Sequence, residues 1–203
     1  MNFYQEITII EQAEIPLYFI WSKLYTQLHL AFVEQKDDTE QITYGVSFPQ
    51  YRLHEQKQLG HLGSKIRIFA NSPAELEQLN LQKWLDRLED YVHVTRPREV
   101  PQDKITGYAN YNRTRPLKNK QTRILHQAKR RNISVEESAK YFEQFTEQKR
   151  GEPFIQLKSQ SSSDIDQPKH EFSLYISKQN VETENSGKFG TYGLSQNSTV
   201  PEF

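Results

Sequence analysis

The run Met1–Ala31, MNFYQEITIIEQAEIPLYFIWSKLYTQLHLA, decides how the chain begins to fold. Met1–Ile10 alternates, with Ile7 and Ile9 on one face and Thr8 and Ile10 on the other, which predicts a β-strand. Pro16 stands where a helix tolerates proline, in its first turn. Beyond it Leu17, Ile20, Trp21, Leu24, Leu28 and Ala31 recur at three- and four-residue steps and draw one apolar stripe. His29 follows Leu28 directly and lies one turn past Tyr25, so its ring is expected at the margin of that stripe.

Working outward, Gln41–Pro49 (QITYGVSFP) alternates Ile42, Tyr44, Val46 and Phe48 and reads as a strand stopped by proline. Lys65–Ala70 alternates again, with Ile66 and Ile68 inward. The polar stretch between them, Gln50–Gly63, is expected to be a surface loop, and its His54 and His61 match no metal-binding spacing. Ser72-Pro73-Ala74-Glu75 can cap and open a helix whose buried face is Leu76, Leu79, Trp84, Leu85 and Leu88. Tyr91–Thr95 (YVHVT) completes the set as a fourth strand. The order β-α-β-β-α-β predicts a ferredoxin-like domain over residues 1–97. Arg96–Pro101 (RPREVP) reads as a stiff joint to a second domain, 98–203.

That second domain is expected to hold a basic helix over about 117–131, a second helix and a small antiparallel sheet, an α+β architecture overall. Pro116 disfavours α geometry at Arg115, which sets the start of the basic helix. Arg123, Gln127, Arg130 and Arg131 should share one side, and Ile124, Leu125 and Ala128 another. Ser134-Val135-Glu136-Glu137 opens the next helix, with Val135, Ala139, Phe142 and Phe145 inward. Pro153–Ser159 and Glu171–Ser177 both alternate as strands, with Phe172, Leu174 and Ile176 on one face. The tail GKFGTYGLSQ sets Gly187, Gly190 and Gly193 around Phe189 and Tyr192, a pattern of close backbone approach that lacks any nucleotide-cofactor spacing.

Charge points to the partner. Lys104–Arg131 contains nine basic residues and no carboxylate. The whole chain balances 26 basic against 26 acidic residues, so the remainder is net −9. A cationic segment on an acidic scaffold suits a phosphate-rich partner, since each neutralised phosphate releases a counterion. Duplex DNA in a helix-turn-helix mode is disfavoured, because the second helix carries Glu136, Glu137, Glu143 and Glu147. No run nears the ~20 apolar residues of a membrane span. MNFYQEITII lacks the basic start of a secretory signal. The absence of cysteine excludes disulfides and thiolate chemistry, and a cytoplasmic protein without cofactor or metal is the expectation.

With no cluster of metal ligands, phosphodiester chemistry would rest on protein acid–base groups, and RNA allows this because its 2′-hydroxyl is a built-in nucleophile. The residues on offer are His29, His170, Ser159, Ser161 and Tyr192, and composition does not choose among them.

A family resemblance does. QLHLAF around His29, GVSFP at Gly45–Pro49, the basic helix before Ser134, PF-x-x-L-x-SQS at Pro153–Ser161, Phe172-x-Leu174, TYGLS at Thr191–Ser195 and the final Val200-Pro201-x-Phe203 occur in order. Together they resemble the type I-F CRISPR endoribonucleases, the Csy-type branch of the Cas six family, nearly end to end. The resemblance implies metal-independent cleavage of repeat hairpins in precursor RNA, a 2′,3′-cyclic phosphate product, retention of the guide RNA and membership of a type I-F surveillance complex. It implies His29 as general base, Ser159 as the group that holds the ribose, and Tyr192 as the residue that orients the imidazole. Phe172 would stack under the last base pair and Ser161 would contact the backbone. Arg113, Arg115, Lys118, Lys120, Arg123, Gln127, Arg130 and Arg131 would bind the hairpin. Arg113-Thr114-Arg115 carries arginine where the family has glutamine, which leaves the base preference there open, since arginine pairs bidentately with guanine. The alternative is a hairpin-binding subunit that no longer cuts. A third reading pairs His29 with His170 as base and acid.

Overall fold

The computed structural model describes residues 1–54, 56–115, 119–146, 151–159 and 170–203. Its opening follows from the first stretch of sequence. Strand β1 (Phe3–Ile9) buries Ile7 and Ile9, and helix α1 (Leu17–Glu34) starts behind Pro16, which is extended at the N-cap. The buried face of α1 is Ile20, Trp21, Leu24, Tyr25, Leu28, Ala31 and Phe32. Each large side chain removed from water there contributes about 1.5–3 kcal/mol.

Where one strand was expected over Gln41–Pro49, the chain forms two, β2 (Gln41–Ile42) and β3 (Gly45–Ser47). They separate because they have different partners. The polar stretch that follows is folded as well, into the hairpin β4 (Arg52–His54) and β5 (Leu59–His61), with both histidines exposed. Strand β6 (Lys65–Ala70) buries Ile66 and Ile68. Helix α2 (Pro73–Leu79) begins as its sequence requires: Ser72 Oγ accepts the Glu75 N–H at 3.3 Å, and Glu75 reaches back to the Asn71 N–H at 3.1 Å. The short α3 (Leu81–Trp84) follows, then β7 (Val92–Val94) and β8 (Arg98–Glu99). The antiparallel order of the first sheet is β3-β6-β1-β7, with β8 also on β1.

Strand β9 (Gly107–Thr114) lies inside the basic segment and was not expected. Its Tyr and Asn residues hide the alternation: Ala109, Asn110 and Tyr111 are all buried, so burial there is not confined to apolar residues. Helix α4 (Lys120–Arg131) is capped by Asn119, whose side chain accepts the Thr122 N–H at 2.8 Å, and ends at Asn132 in left-handed geometry. It buries Ile124 and Ala128, whereas Leu125, expected on the same side as these two, is exposed. In α5 (Val135–Lys140) Ser138, not Val135, faces inward, and its hydroxyl donates to the Ile124 carbonyl at 2.9 Å.

The chain closes with β10 (Phe154–Lys158), β11 (Glu171–Val181), β12 (Phe189–Gly190) and β13 (Val200–Glu202). The second sheet is antiparallel in the order β10-β11-β9-β13. β12 instead pairs with β2, so the tail crosses back to the N-terminal half. One buried cluster joins Ile7 and Ile68 of the first sheet to Leu157, Leu174 and Ile176 of the second through Leu24, Tyr25 and Leu28 of α1. Among the described residues no helix is long and apolar enough to cross a membrane.

Candidate active site

The outer edge of α1 meets β10, β11 and the tail at one cleft. α1 presents Thr26, His29, Leu30 and Val33 to it, β10 and its end present Leu157, Lys158 and Ser159, β11 presents Phe172, and the tail presents Tyr192. The cleft measures about 300 Å³. Ser159 is set by the last rung between β10 and β11, where its N–H donates to the His170 carbonyl at 2.8 Å. His170 itself is exposed and is not among the cleft-lining residues.

His29 is the best-defined group. Its Nδ1 lies 2.8 Å from the Thr191 carbonyl oxygen. A carbonyl only accepts, so Nδ1 carries the proton and Nε2 of the neutral ring keeps a free lone pair. Burial holds the imidazole below its ordinary pKa, the Thr191 hydrogen bond opposes that shift, and the Arg113 charge adds to it. The net result is a neutral ring near neutral pH, suited to act as a base.

Tyr192 meets this ring face to face, with centroids 4.0 Å apart and planes 6° from parallel. The tail turn that carries it is fastened on several sides. Gly193 N–H donates to Gly190 O at 2.7 Å, and Val46 N–H to Gly193 O at 3.1 Å. Gly193 adopts φ +69, and a Cβ there would come within 2.5 Å of Val46 Cγ1, so glycine is required. Burial raises the Tyr192 phenol, with the Arg113 charge opposing.

Arg113, near the end of β9, holds its guanidinium 5.4 Å from the ring centroids of both Phe172 and Tyr192. It is exposed, as is Arg115 just beyond the strand. Four expected site residues, His29, Ser159, Phe172 and Tyr192, thus share the cleft, with Arg113 over two of their rings. On α4, Arg130 and Arg131 are exposed, while Lys120, Arg123 and Gln127 are half-buried. The Arg123 guanidinium lies 4.9 Å from the Phe145 ring centroid and that of Arg131 5.4 Å from Tyr141. Lys118 and Ser161 lie outside the described residues. Among the described residues no three His, Asp or Glu side chains are grouped so as to hold a metal ion. The Thr191 carbonyl, which fixes the imidazole, was not anticipated: a backbone acceptor leaves no signature in residue type.

Residues 4–203 match the family described as CRISPR-associated protein (Cas_Csy4). A protein of Pseudomonas aeruginosa (strain UCBPP-PA14) named CRISPR-associated endonuclease Cas6/Csy4 is 30% identical over 204 aligned positions, covering all of both chains. One of the same name from Escherichia coli (strain UTI89 / UPEC) is 26% identical, again over the whole of both. A solved structure titled CRISPR associated protein Cas6 aligns over 99% of this chain and 98% of its own at 14% identity, with a TM-score of 0.31. On the whole-length match, the chain belongs to the Cas_Csy4 family of CRISPR-associated proteins, the type I-F branch of the Cas6 enzymes that its motifs resemble.

Proposed function

We propose that this protein is an endoribonuclease that cuts CRISPR precursor RNA at the base of a repeat hairpin and stays bound to the guide RNA it releases. The observation that carries this reading is the His29–Thr191 hydrogen bond, which leaves Nε2 unprotonated on a ring lining the same cleft as Ser159, Phe172 and Tyr192. The whole-length relatives named as CRISPR-associated endonucleases support the same activity.

In the proposed reaction His29 Nε2 takes the proton of the 2′-hydroxyl. The 2′-oxygen attacks the adjacent phosphorus in line, the bond from phosphorus to the 5′-oxygen breaks, and that oxygen takes up a proton from water, while the His29 imidazolium returns its proton to the solvent. The products are a 2′,3′-cyclic phosphate and a 5′-hydroxyl, and the scheme uses no metal. Ser159 holds the ribose, Tyr192 steadies the imidazole by ring contact, and Phe172 offers its face to the last base pair. Arg113 and Arg115 read the base of the stem. Lys118, Lys120, Arg123, Gln127, Arg130 and Arg131 follow the phosphates, with Ser161 near the cut.

The strand order β3-β6-β1-β7 supports a ferredoxin-like unit over residues 1–97, with the RNA gripped by the 98–203 unit. The retained product then joins the protein to the other subunits of a type I-F surveillance complex in the cytoplasm.

The test incubates the protein with its repeat RNA in excess EDTA, beside the same RNA carrying one 2′-deoxy at the scissile site. Cleavage of the first alone is expected. Cleavage of both, or a strict metal requirement, would overturn the mechanism, and tight binding without any cutting would favour the non-cleaving alternative.

A further inference from the structure

Resting on that reading, we propose that Tyr25 is a positioning residue for the cleavage: its buried hydroxyl holds the Thr191–Tyr192 turn in place and, through it, the ring of His29. Tyr25 and His29 stand four residues apart on α1 and so point the same way. They take successive carbonyls of one turn. Tyr25 Oη donates to the Tyr192 carbonyl at 2.8 Å, and His29 Nδ1 donates to the Thr191 carbonyl at 2.8 Å. The Tyr192 ring stacks on both, 6.5 Å and 12° from Tyr25, 4.0 Å and 6° from His29. Helix and turn are therefore clasped by two hydrogen bonds and three near-parallel rings.

The hydroxyl is not needed for packing. Tyr25 is 0% exposed, and phenylalanine would fill nearly the same volume in the same ring contacts with Phe48 and Tyr192. What the oxygen adds is a donor for the Tyr192 carbonyl, a partner that phenylalanine would remove. Burial drives the phenol far above its ordinary pKa, so it donates throughout the working range. Without it, the Tyr192 carbonyl must shift to find another donor. The adjoining Thr191 carbonyl shifts with it, and that group decides which imidazole nitrogen carries the proton.

Tyr44 supplies a matched control. It too is buried, at 3% exposure, and its hydroxyl donates to a backbone carbonyl, that of Glu75, at 2.8 Å, away from the cleft-lining residues. Tyr25→Phe and Tyr44→Phe should therefore lose comparable stability. The experiment measures single-turnover cleavage of repeat RNA, RNA affinity, Tm and the His29 tautomer by 15N NMR in the full-length wild type and both variants. Tyr25→Phe should cut about tenfold more slowly, the order of one lost hydrogen bond. Its RNA affinity should be unchanged and its Nδ1–H tautomer less populated, while Tyr44→Phe cuts at the wild-type rate.

Wild-type rate and tautomer in Tyr25→Phe would overturn the proposal, as would equal slowing by Tyr44→Phe. A Tyr25→Phe protein that fails to fold while Tyr44→Phe folds would do the same, marking the hydroxyl as structural. If wild-type protein leaves the RNA intact, or His29→Ala cuts as fast, the functional reading fails instead. The tautomer measurement needs no RNA and still decides the role of Tyr25.

Discussion

His29 and Tyr192 lie ring on ring, 4.0 Å apart and 6° from parallel, and the hydrogen bond that fixes the imidazole is donated to the carbonyl of Thr191 rather than shared with the phenol. On the proposed mechanism Tyr192 orients His29 through its face. The expected outcome is that Tyr192→Phe cleaves within about threefold of wild type, while Tyr192→Ala falls about 100-fold, the scale of a small misplacement of a reacting group. Single-turnover rates of the two variants separate face from hydroxyl. A large loss in Tyr192→Phe would show the phenol itself at work.

On the proposed mechanism the imidazole sets the pH dependence. Burial holds its pKa below the ordinary ~6.5, and only the neutral ring can take a proton. Cleavage should therefore rise with pH to a midpoint under ~6.5 and then stay level through neutrality. The same depression makes folding stability greatest above the unfolded-state pKa, with a loss as pH falls through the folded one. His29→Ala should abolish the cut and leave RNA binding near normal, measured by cleavage and affinity on one RNA.

On the same proposed mechanism Arg113 tunes that midpoint while serving the substrate. Its charge lowers the His29 pKa, though burial is the larger cause. Arg113→Gln should therefore move the pH–rate midpoint upward, by less than burial has moved it down. It should also weaken RNA binding, since the guanidinium at Phe172 and Tyr192 is lost. A midpoint that stays in place would mean that solvent screens the pair.

The elements that sequence made legible are those whose signal is local. The stripe of α1 and the caps at Ser72 and Ser134 depend on residues a few positions apart, and they form as expected. β9 escaped because its place is decided by distant partners, β11 and β13, which accept a strand containing Asn110 and Asn112. The division of Gln41–Pro49 has the same origin, since β2 turns to β12 while β3 stays with β6. At the cleft, the side chains His29, Ser159, Phe172 and Tyr192 could be picked out by motif. The parts taken by Thr191 and Tyr25 could not, because the first holds the imidazole through its backbone carbonyl and the second reads as an ordinary core aromatic.

Gly193 offers a test of the turn without touching any cleft side chain. Its φ of +69 is unfavourable for alanine, and the new Cβ would crowd Val46 Cγ1 at 2.5 Å and the Phe32 ring at 3.3 Å. Gly193→Ala should cost about 1–3 kcal/mol, lowering Tm by several degrees. Because Tyr192 and Thr191 precede it directly, cleavage at a temperature where the variant is folded should fall as well. An unstable variant with full activity would mean that the turn can yield without moving His29.

Arg130 stands exposed in the last turn of α4, followed by Arg131, with no carboxylate anywhere in the helix. The C-terminal end of a helix favours a cation, so the substitution should have little effect on folding beyond a few tenths of a kcal/mol. Its effect on RNA should be electrostatic. Each phosphate contact contributes roughly 0.7 to 0.9 to the slope of log affinity against log salt, so Arg130→Ala should flatten that slope by about one. Affinity measured for the repeat hairpin across a salt series gives the slope directly. The cleavage rate at saturating protein should be unchanged, because this residue is absent from the cleft. A slope equal to that of the wild type would place Arg130 off the phosphate path and turn the arm about its axis.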